Sequence, residues 1–398
     1  MAKGKNYRLT AVACYLGFIT QAIAANFAPL LYLTFQKNFG IPLGQIALIS
    51  TVFYFTQLIT DLIAARFVDK IGYRICTVIS EILSVLGLVG MAYLPGLFGN
   101  PFPVLLGCVV VYAIGSGLIE VLVSPIIEAC PFDHKEAVMS LTHSFYCWGS
   151  VATILLSTLF FRFVGIEHWP ILACLWALIP FVNIFLFAAC PIEHLVEDGK
   201  SMTIGQLLKN GPFWVLIVLM VCAGASEMGM AQWASAFTES ALGVSKTVGD
   251  LAGPCMFAVL MGISRVFYGK FGQKIDMTKF MISSGILCVF CYLLAGLASI
   301  PVLGLVGCAL CGFSVGIMWP GSISVSSHSL PAGGTALFAL LALAGDLGGS
   351  LAPSLVGNVS QMSGGNLKVG LLAAVIFPLV LVISLLILPR IAHKENDR

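Results

Sequence analysis

The charge-poor stretches decide what this chain can become. Measured against a bilayer-spanning helix, which needs about 20 mostly apolar residues, the 398 residues contain about twelve suitable runs. They cover residues 9–35, 45–64, 75–94, 103–127, 137–161, 169–189, 213–237, 251–267, 280–300, 302–325, 335–357 and 367–388. Hydrophobic residues make up 59% of the chain and charged residues only 10%, against roughly 25% charged in soluble domains. No water-soluble fold of this size can hide so much apolar side chain. The composition therefore predicts an all-α polytopic membrane protein.

The N-terminus carries Lys3, Lys5 and Arg8 ahead of an apolar run that continues to Phe35. That run is too long for the core of a cleaved signal peptide, so it reads as a retained first helix. Lysine and arginine give the orientation. With a cytoplasmic N-terminus, Lys3, Lys5, Arg8, Arg66, Lys70, Arg74, Lys135, Lys200, Lys209, Lys270, Lys274, Lys279, Arg390, Lys394 and Arg398 fall inside. Only Lys37, Arg162, Lys246 and Lys368 fall outside. Both termini are then expected in the cytoplasm.

The longest polar connection is PIEHLVEDGKSMTIGQLLKN, residues 191–210. It divides the chain into an expected six-helix bundle over 1–190, a cytoplasmic linker, and a second six-helix bundle over 211–398. A repeat supports this pseudo-symmetry. In DLIAARFVDKIGYR and RVFYGKFGQKIDMTK, Arg66 meets Lys270, Phe67 meets Phe271, Lys70 meets Lys274, and Asp61 meets Arg265.

At these residues the chain resembles the major facilitator superfamily. The family signature G-x-x-x-D-[RK]-x-G-x-[RK] is matched by Asp69, Lys70, Gly72 and Arg74, with Ala65 in place of the leading glycine. The resemblance implies a transporter whose two halves rock about a central site, with a cytoplasmic gate of charges. Asp61, Arg66, Asp69, Lys70, Gly72, Arg74, Arg265 and Glu128 are its candidates. A narrower resemblance, to the fucose permease-like branch, rests on Gly117-Leu118-Ile119-Glu120, Ser124-Pro125 and the run Ser140 to Gly149. In that branch a fourth-helix glutamate takes part in proton coupling and sugar transport, and Glu120 falls at the matching position. The branch's characterised carriers also use a first-helix aspartate. Here Asn26-Phe27-Ala28-Pro29 occupies that region, with no acid.

The residues point to the same chemistry. A carboxylate at mid-bilayer costs roughly 2.5–3.5 kcal/mol on insertion scales, and taking it out of water favours the neutral acid. A protonatable acid in a gated cavity can therefore carry a proton. Glu120, Glu227 and Asp346 are the intramembrane acids, with no basic residue expected at their depth, and His143 is a candidate relay with Glu120. Glu128 lies near Lys135 at a cytoplasmic helix end, and Glu81 and Glu136 are expected on the same charged surface. Gln21, Asn26, Tyr54, Gln57, Tyr146, Trp148, Gln232, Trp233 and Trp319 are candidate substrate contacts, mixing amides with aromatic faces as pockets do. The spacing Cys288/Cys291 and Cys308/Cys311 imitates a zinc ribbon, but inside apolar helices cysteine serves as a small packing residue. Pro29, Pro125 and Pro320 are expected to bend their helices.

No phosphate loop is present: Gly345-Asp346-Leu347-Gly348-Gly349 lacks the Gly-Lys-Ser/Thr of a nucleotide cradle. The expected function is secondary active transport of a small polar solute, a sugar or polyol, with protons or sodium as coupling ion and no other cofactor. The alternative is a proton-coupled exporter of amphipathic or cationic organic compounds. The expected setting is a bacterial cytoplasmic membrane, with the lipid bilayer and a small-molecule substrate as partners, no nucleic acid, and a monomeric chain. The orientation has a direct check. A fluorescent reporter that matures only in the cytoplasm should light up when fused after Arg398 or within 191–210, and stay dark when inserted beside Lys246.

Overall fold

The computed structural model describes residues 6–41, 43–193, 195, 201–234, 237–238, 251–364 and 366–396. Lys3, Lys5, Lys200, Lys246 and Arg398 lie outside the described residues, as do residues 194 and 196–200 of the central linker and the side chains of Arg390 and Lys394. Among the described residues all regular structure is helical. The helices are α1 (Tyr7–Leu30), α2 (Tyr32–Phe39), α3 (Leu43–Ile71), α4 (Tyr73–Tyr93), α5 (Pro101–Ala129), α6 (Lys135–Phe163), α7 (Trp169–Ala189) and α8 (Ile204–Lys209). There follow α9 (Gly211–Ala231), α10 (Met256–Phe271), α11 (Met277–Leu297), α12 (Pro301–Val315), α13 (Met318–Ser329), α14 (Gly334–Met362), α15 (Leu367–Ala373) and α16 (Ile376–Asn396).

Among the described residues, eleven helices are long and apolar enough to cross a membrane. The remaining expected span, 251–267, takes a different form. A π-helical turn, Leu251–Cys255, leads into the 16-residue α10. The chain divides into two compact units. One comprises Met1–Pro131 and Phe145–Gly199; the other comprises Phe132–Ser144 and Lys200–Arg398, so the opening turns of α6 belong to the second unit.

The seventh and twelfth expected spans are interrupted by turns at residues 232–233 and 374–375, and two others are interrupted beside a proline. The first breaks at Leu31, just after Pro29. The tenth breaks between Val315 and Met318, just before Pro320. Proline lacks the N–H that would bond the carbonyl four residues back, and its ring crowds that carbonyl. Pro125 behaves differently: α5 runs through it without interruption.

The break before Pro320 organises the second unit. Pro320 cannot donate to the carbonyl of Gly316. Arg265 of α10 does so instead, its Nε donating to that oxygen at 2.8 Å. The same guanidinium donates through Nη1 to the carbonyl of His143 at 3.0 Å. Through Nη2 it pairs with Glu227 Oε2 on α9 at 3.4 Å. Ser140 returns a hydrogen bond to the Arg265 carbonyl at 2.8 Å. Arg265 is only 3% exposed. Expected at a cytoplasmic helix end, it is instead a buried cation, and Glu227, expected to lack a cationic partner, has one.

Glycines set the closest helix seams, as small residues do between membrane helices. In the first unit a Cβ on Gly115 of α5 would stand 2.5 Å from the Ser80 carbonyl and 2.6 Å from Ser84 Oγ, both on α4. In the second unit Gly224 of α9 lies against the backbone of Gly345, and Gly348 against that of Val221. Between α3 and α4, Gly72 takes φ +95°, a turn that other residues adopt only with strain.

Two stability outcomes follow. Gly115→Val should weaken the α4–α5 seam by about 1–3 kcal/mol, the usual effect of overpacking. Arg265→Met should cost about 3–5 kcal/mol, because it strands Glu227 and two carbonyls. Denaturant unfolding in detergent micelles measures both.

Candidate functional site

In the first unit three helices converge on one carboxylate. Gly117 brings α5 close to α3: a Cβ there would lie 3.1 Å from Thr60 Cβ and 3.3 Å from Gln57 Cγ. One turn further along α5 stands Glu120. Its Oε2 accepts a hydrogen bond from Gln21 Nε2 of α1 at 2.8 Å and another from Gln57 Nε2 of α3. Gln21 and Gln57 are buried and Glu120 is partly exposed. The structure thus joins one predicted acid to two predicted substrate contacts.

The other first-unit candidates lie on α1, α3 and α6. Asn26 donates through Nδ2 to Ser150 Oγ of α6 at 3.1 Å and to the carbonyl of Ala22 at 2.8 Å. That contact is possible because Gly149 of α6 lies against Ala22 and Ile19 of α1. Tyr146 and Trp148 are partly exposed on the same helix, and the Tyr146 carbonyl accepts from Ser150 Oγ at 2.9 Å. Tyr54 is 53% exposed and packs edge-on against Phe53.

A second carboxylate lies in this unit where none was expected. Glu81, assigned from sequence to the charged cytoplasmic surface, is fully buried in α4. Its Oε1 accepts from Asn183 Nδ2 of α7 at 2.7 Å, and its Oε2 accepts from Thr20 Oγ1 of α1 at 3.1 Å. The signal was in the sequence: Thr77, Ser80, Glu81 and Ser84 form one polar stripe at helical spacing, and all four are buried.

The signature turn separates into two kinds of residue. Arg66, Asp69 and Lys70 are exposed, with Arg66 and Lys70 each 5.9 Å from the Phe67 ring centroid. Arg74 caps the end of α7, donating to the carbonyls of Phe187, Ala188 and Cys190 at 2.9, 2.5 and 2.9 Å. Cations near a helix C-terminus are favourably placed. Asp61 and Glu128, read as interfacial gate residues, are buried at 0% and 5% exposure.

In the second unit, Glu227 is held by Arg265, and His143 lies beside that same guanidinium. Asp346 of α14 is partly exposed, and its carboxylate accepts no side-chain hydrogen bond among the described residues. Beside it Gly345 lies against the Trp319 ring, and Gly349 faces Met228 of α9. Trp233 donates through Nε1 to the Pro353 carbonyl at 3.1 Å. Gln232 is exposed in the turn that ends α9. Glu136 accepts from Tyr268 Oη at 3.0 Å and stands 3.4 Å from His328 Nδ1. Cys288, Cys291, Cys308 and Cys311 are buried, with Cys288 Sγ 3.9 Å from Cys311 Sγ. No three metal-binding side chains come together among the described residues.

Comparison with known proteins places this architecture. The profile of the Major Facilitator Superfamily matches residues 13–353. No curated protein sequence matches the chain significantly. Among solved structures, the chain is similar to a variant of the Escherichia coli fucose:proton symporter FucP, with a TM-score of 0.82 at 16% identity over 96% of this chain and 99% of that one. It is similar to the proton:xylose symporter XylE bound to 6-bromo-6-deoxy-D-glucose, with a TM-score of 0.80 at 12% identity over 96% and 95%. It is also similar to the human organic anion transporter MFSD10, with a TM-score of 0.72 at 16% identity over 95% and 99%. At these identities the likenesses establish the fold, while the profile covers well over half of the sequence: the chain is a multi-pass membrane protein that belongs to the Major Facilitator Superfamily of transporters.

Proposed function

We propose that the chain is a secondary active transporter of a small polar solute, a sugar or polyol, driven by protons through alternating access, with Glu120 as the coupling acid. The observation that carries this reading is the convergence of Gln21 and Gln57 on Glu120 Oε2. An ionised carboxylate only accepts hydrogen bonds, whereas a protonated one also donates. Two amides aimed at one oxygen suit the ionised state. When a proton arrives there, one glutamine must turn its carbonyl toward Glu120 or move away. The proton is thereby sensed by α1 and α3 together. A sugar hydroxyl, both donor and acceptor, meets matching groups in the same amides and acid. FucP and XylE, described as proton symporters of fucose and xylose, support the reading by likeness of fold. The bilayer is the setting, the protein works as a monomer, and no cofactor beyond the coupling ion is required.

The alternative, export of amphipathic organic cations, draws on Asp346. That acid stands on α14 next to Gly345, which packs against the Trp319 ring. A carboxylate beside an aromatic face suits an organic cation.

Glu120→Gln keeps the shape and the capacity for hydrogen bonding but removes the titratable group. In proteoliposomes it should abolish proton-driven accumulation of the sugar or polyol substrate while leaving counterflow exchange. A panel of sugars, polyols and organic cations, screened by ligand-induced thermal stabilisation, identifies the substrate. Accumulation that survives in Glu120→Gln refutes Glu120 as the coupling acid, and stabilisation by cations alone selects the export reading.

A further inference from the structure

Glu81 takes no part in the mechanism above, yet it is more enclosed than Glu120. Its carboxyl group is wholly buried and touches only neutral partners: the Asn183 amide and the Thr20 hydroxyl. Among the described residues, no charged group acts on it from α3, α5 or α7. The other charged residue of α4, Arg74, is committed to the carbonyls at the end of α7. From α1 the titratable group near it is the Cys14 thiol. A buried charge with no counter-charge is costly, and the ion that removes this cost with the smallest change in geometry is a proton.

The surrounding hydrogen bonds accept both protonation states. Asn183 spends both amide hydrogens, one on Glu81 Oε1 and one on the Ala13 carbonyl at 3.0 Å. Turning the amide over would set its oxygen against two acceptors, so Asn183 remains a fixed donor to Oε1. Thr20 is the adjustable partner. Its hydroxyl donates to Oε2 when the acid is ionised. When Oε2 carries a proton, the hydroxyl accepts it and turns its own hydrogen to the carbonyl four residues back on α1, as helical threonines do. One proton comes from water and remains on Oε2, and no bond to Glu81 is lost.

Thr20 is also the immediate neighbour of Gln21, the residue that bonds Glu120. Successive residues of a helix point about 100° apart, so α1 reaches one acid on α4 and another on α5 from adjacent positions. We propose that Glu81 is a second proton-binding site of this transporter, linked to Glu120 through α1. The link rests on the proton-coupled reading of Glu120; the binding of a proton at Glu81 does not.

Infrared pH-difference spectroscopy of the full chain in lipid vesicles tests both parts. Glu81→Gln should eliminate one titrating carboxyl band, distinct from the band eliminated by Glu120→Gln. Thr20→Val should move the midpoint of the Glu81 band by about one pH unit, while Thr20→Ser leaves it in place. If Glu81→Gln does not fold, the Thr20 pair alone decides the matter. A spectrum in which no titrating band depends on Glu81 or Thr20 overturns the site. A Glu81 midpoint unchanged by Glu120→Gln overturns the link. If Glu120→Gln still accumulates substrate while the Glu81 band titrates, the coupling role of Glu120 fails and the Glu81 site is supported.

Discussion

Inside a bilayer a polar group has no water to fall back on, so its partner must be another part of the protein. That constraint shapes both units. Glu120 binds two amides from α1 and α3, and Glu81 binds a hydroxyl from α1 and an amide from α7. Arg265 binds two carbonyls and a carboxylate. Apolar contact gives little directional preference among membrane helices, since lipid tails are as apolar as leucine. The few polar groups and the small residues beside them therefore decide which helix faces meet. Gly117 next to Glu120, and Gly115 against Ser80 and Ser84, show the two acting together.

Arg265 illustrates how a local defect can be put to use. A proline in a membrane helix frees a carbonyl that must be bonded again by a neighbour. Here Pro320 frees Gly316, and the donor that reaches it is a cation, which then needs a balancing charge and finds Glu227. A helix break, a buried arginine and an intramembrane glutamate form one chain of causes. None of the three is well accommodated without the others.

How much of this could be read from the sequence depended on the range of the interaction. The spans were legible because apolar length is a local property, and Gly72 was legible because its turn is local as well. Glu120 stood out as an acid in an apolar run, and Gln21 and Gln57 as amides in two others. Their convergence required knowing which faces of α1, α3 and α5 meet. Glu81 was misplaced because position along the helix suggested an interfacial depth, whereas burial is set by neighbours. Its polar stripe was the overlooked sign. Arg265 was legible as a cation in an apolar span, but its partners lie 38, 51 and 122 residues away. The interruption of the tenth span at Gly316 was expected only as a bend at Pro320.

The adjacent anchors of α1 have a kinematic consequence. Rolling the helix about its own axis would improve one of the bonds at Thr20 and Gln21 only by stretching the other. Tilting or sliding it as a rod moves both in the same sense. Inserting or deleting a single residue ahead of Thr20 would turn the downstream helix by about 100° and present each donor to the wrong neighbour. The register of α1 is thus fixed from two sides: it is a helix free to lean but not to roll, and motions of the first unit must be composed within that restriction.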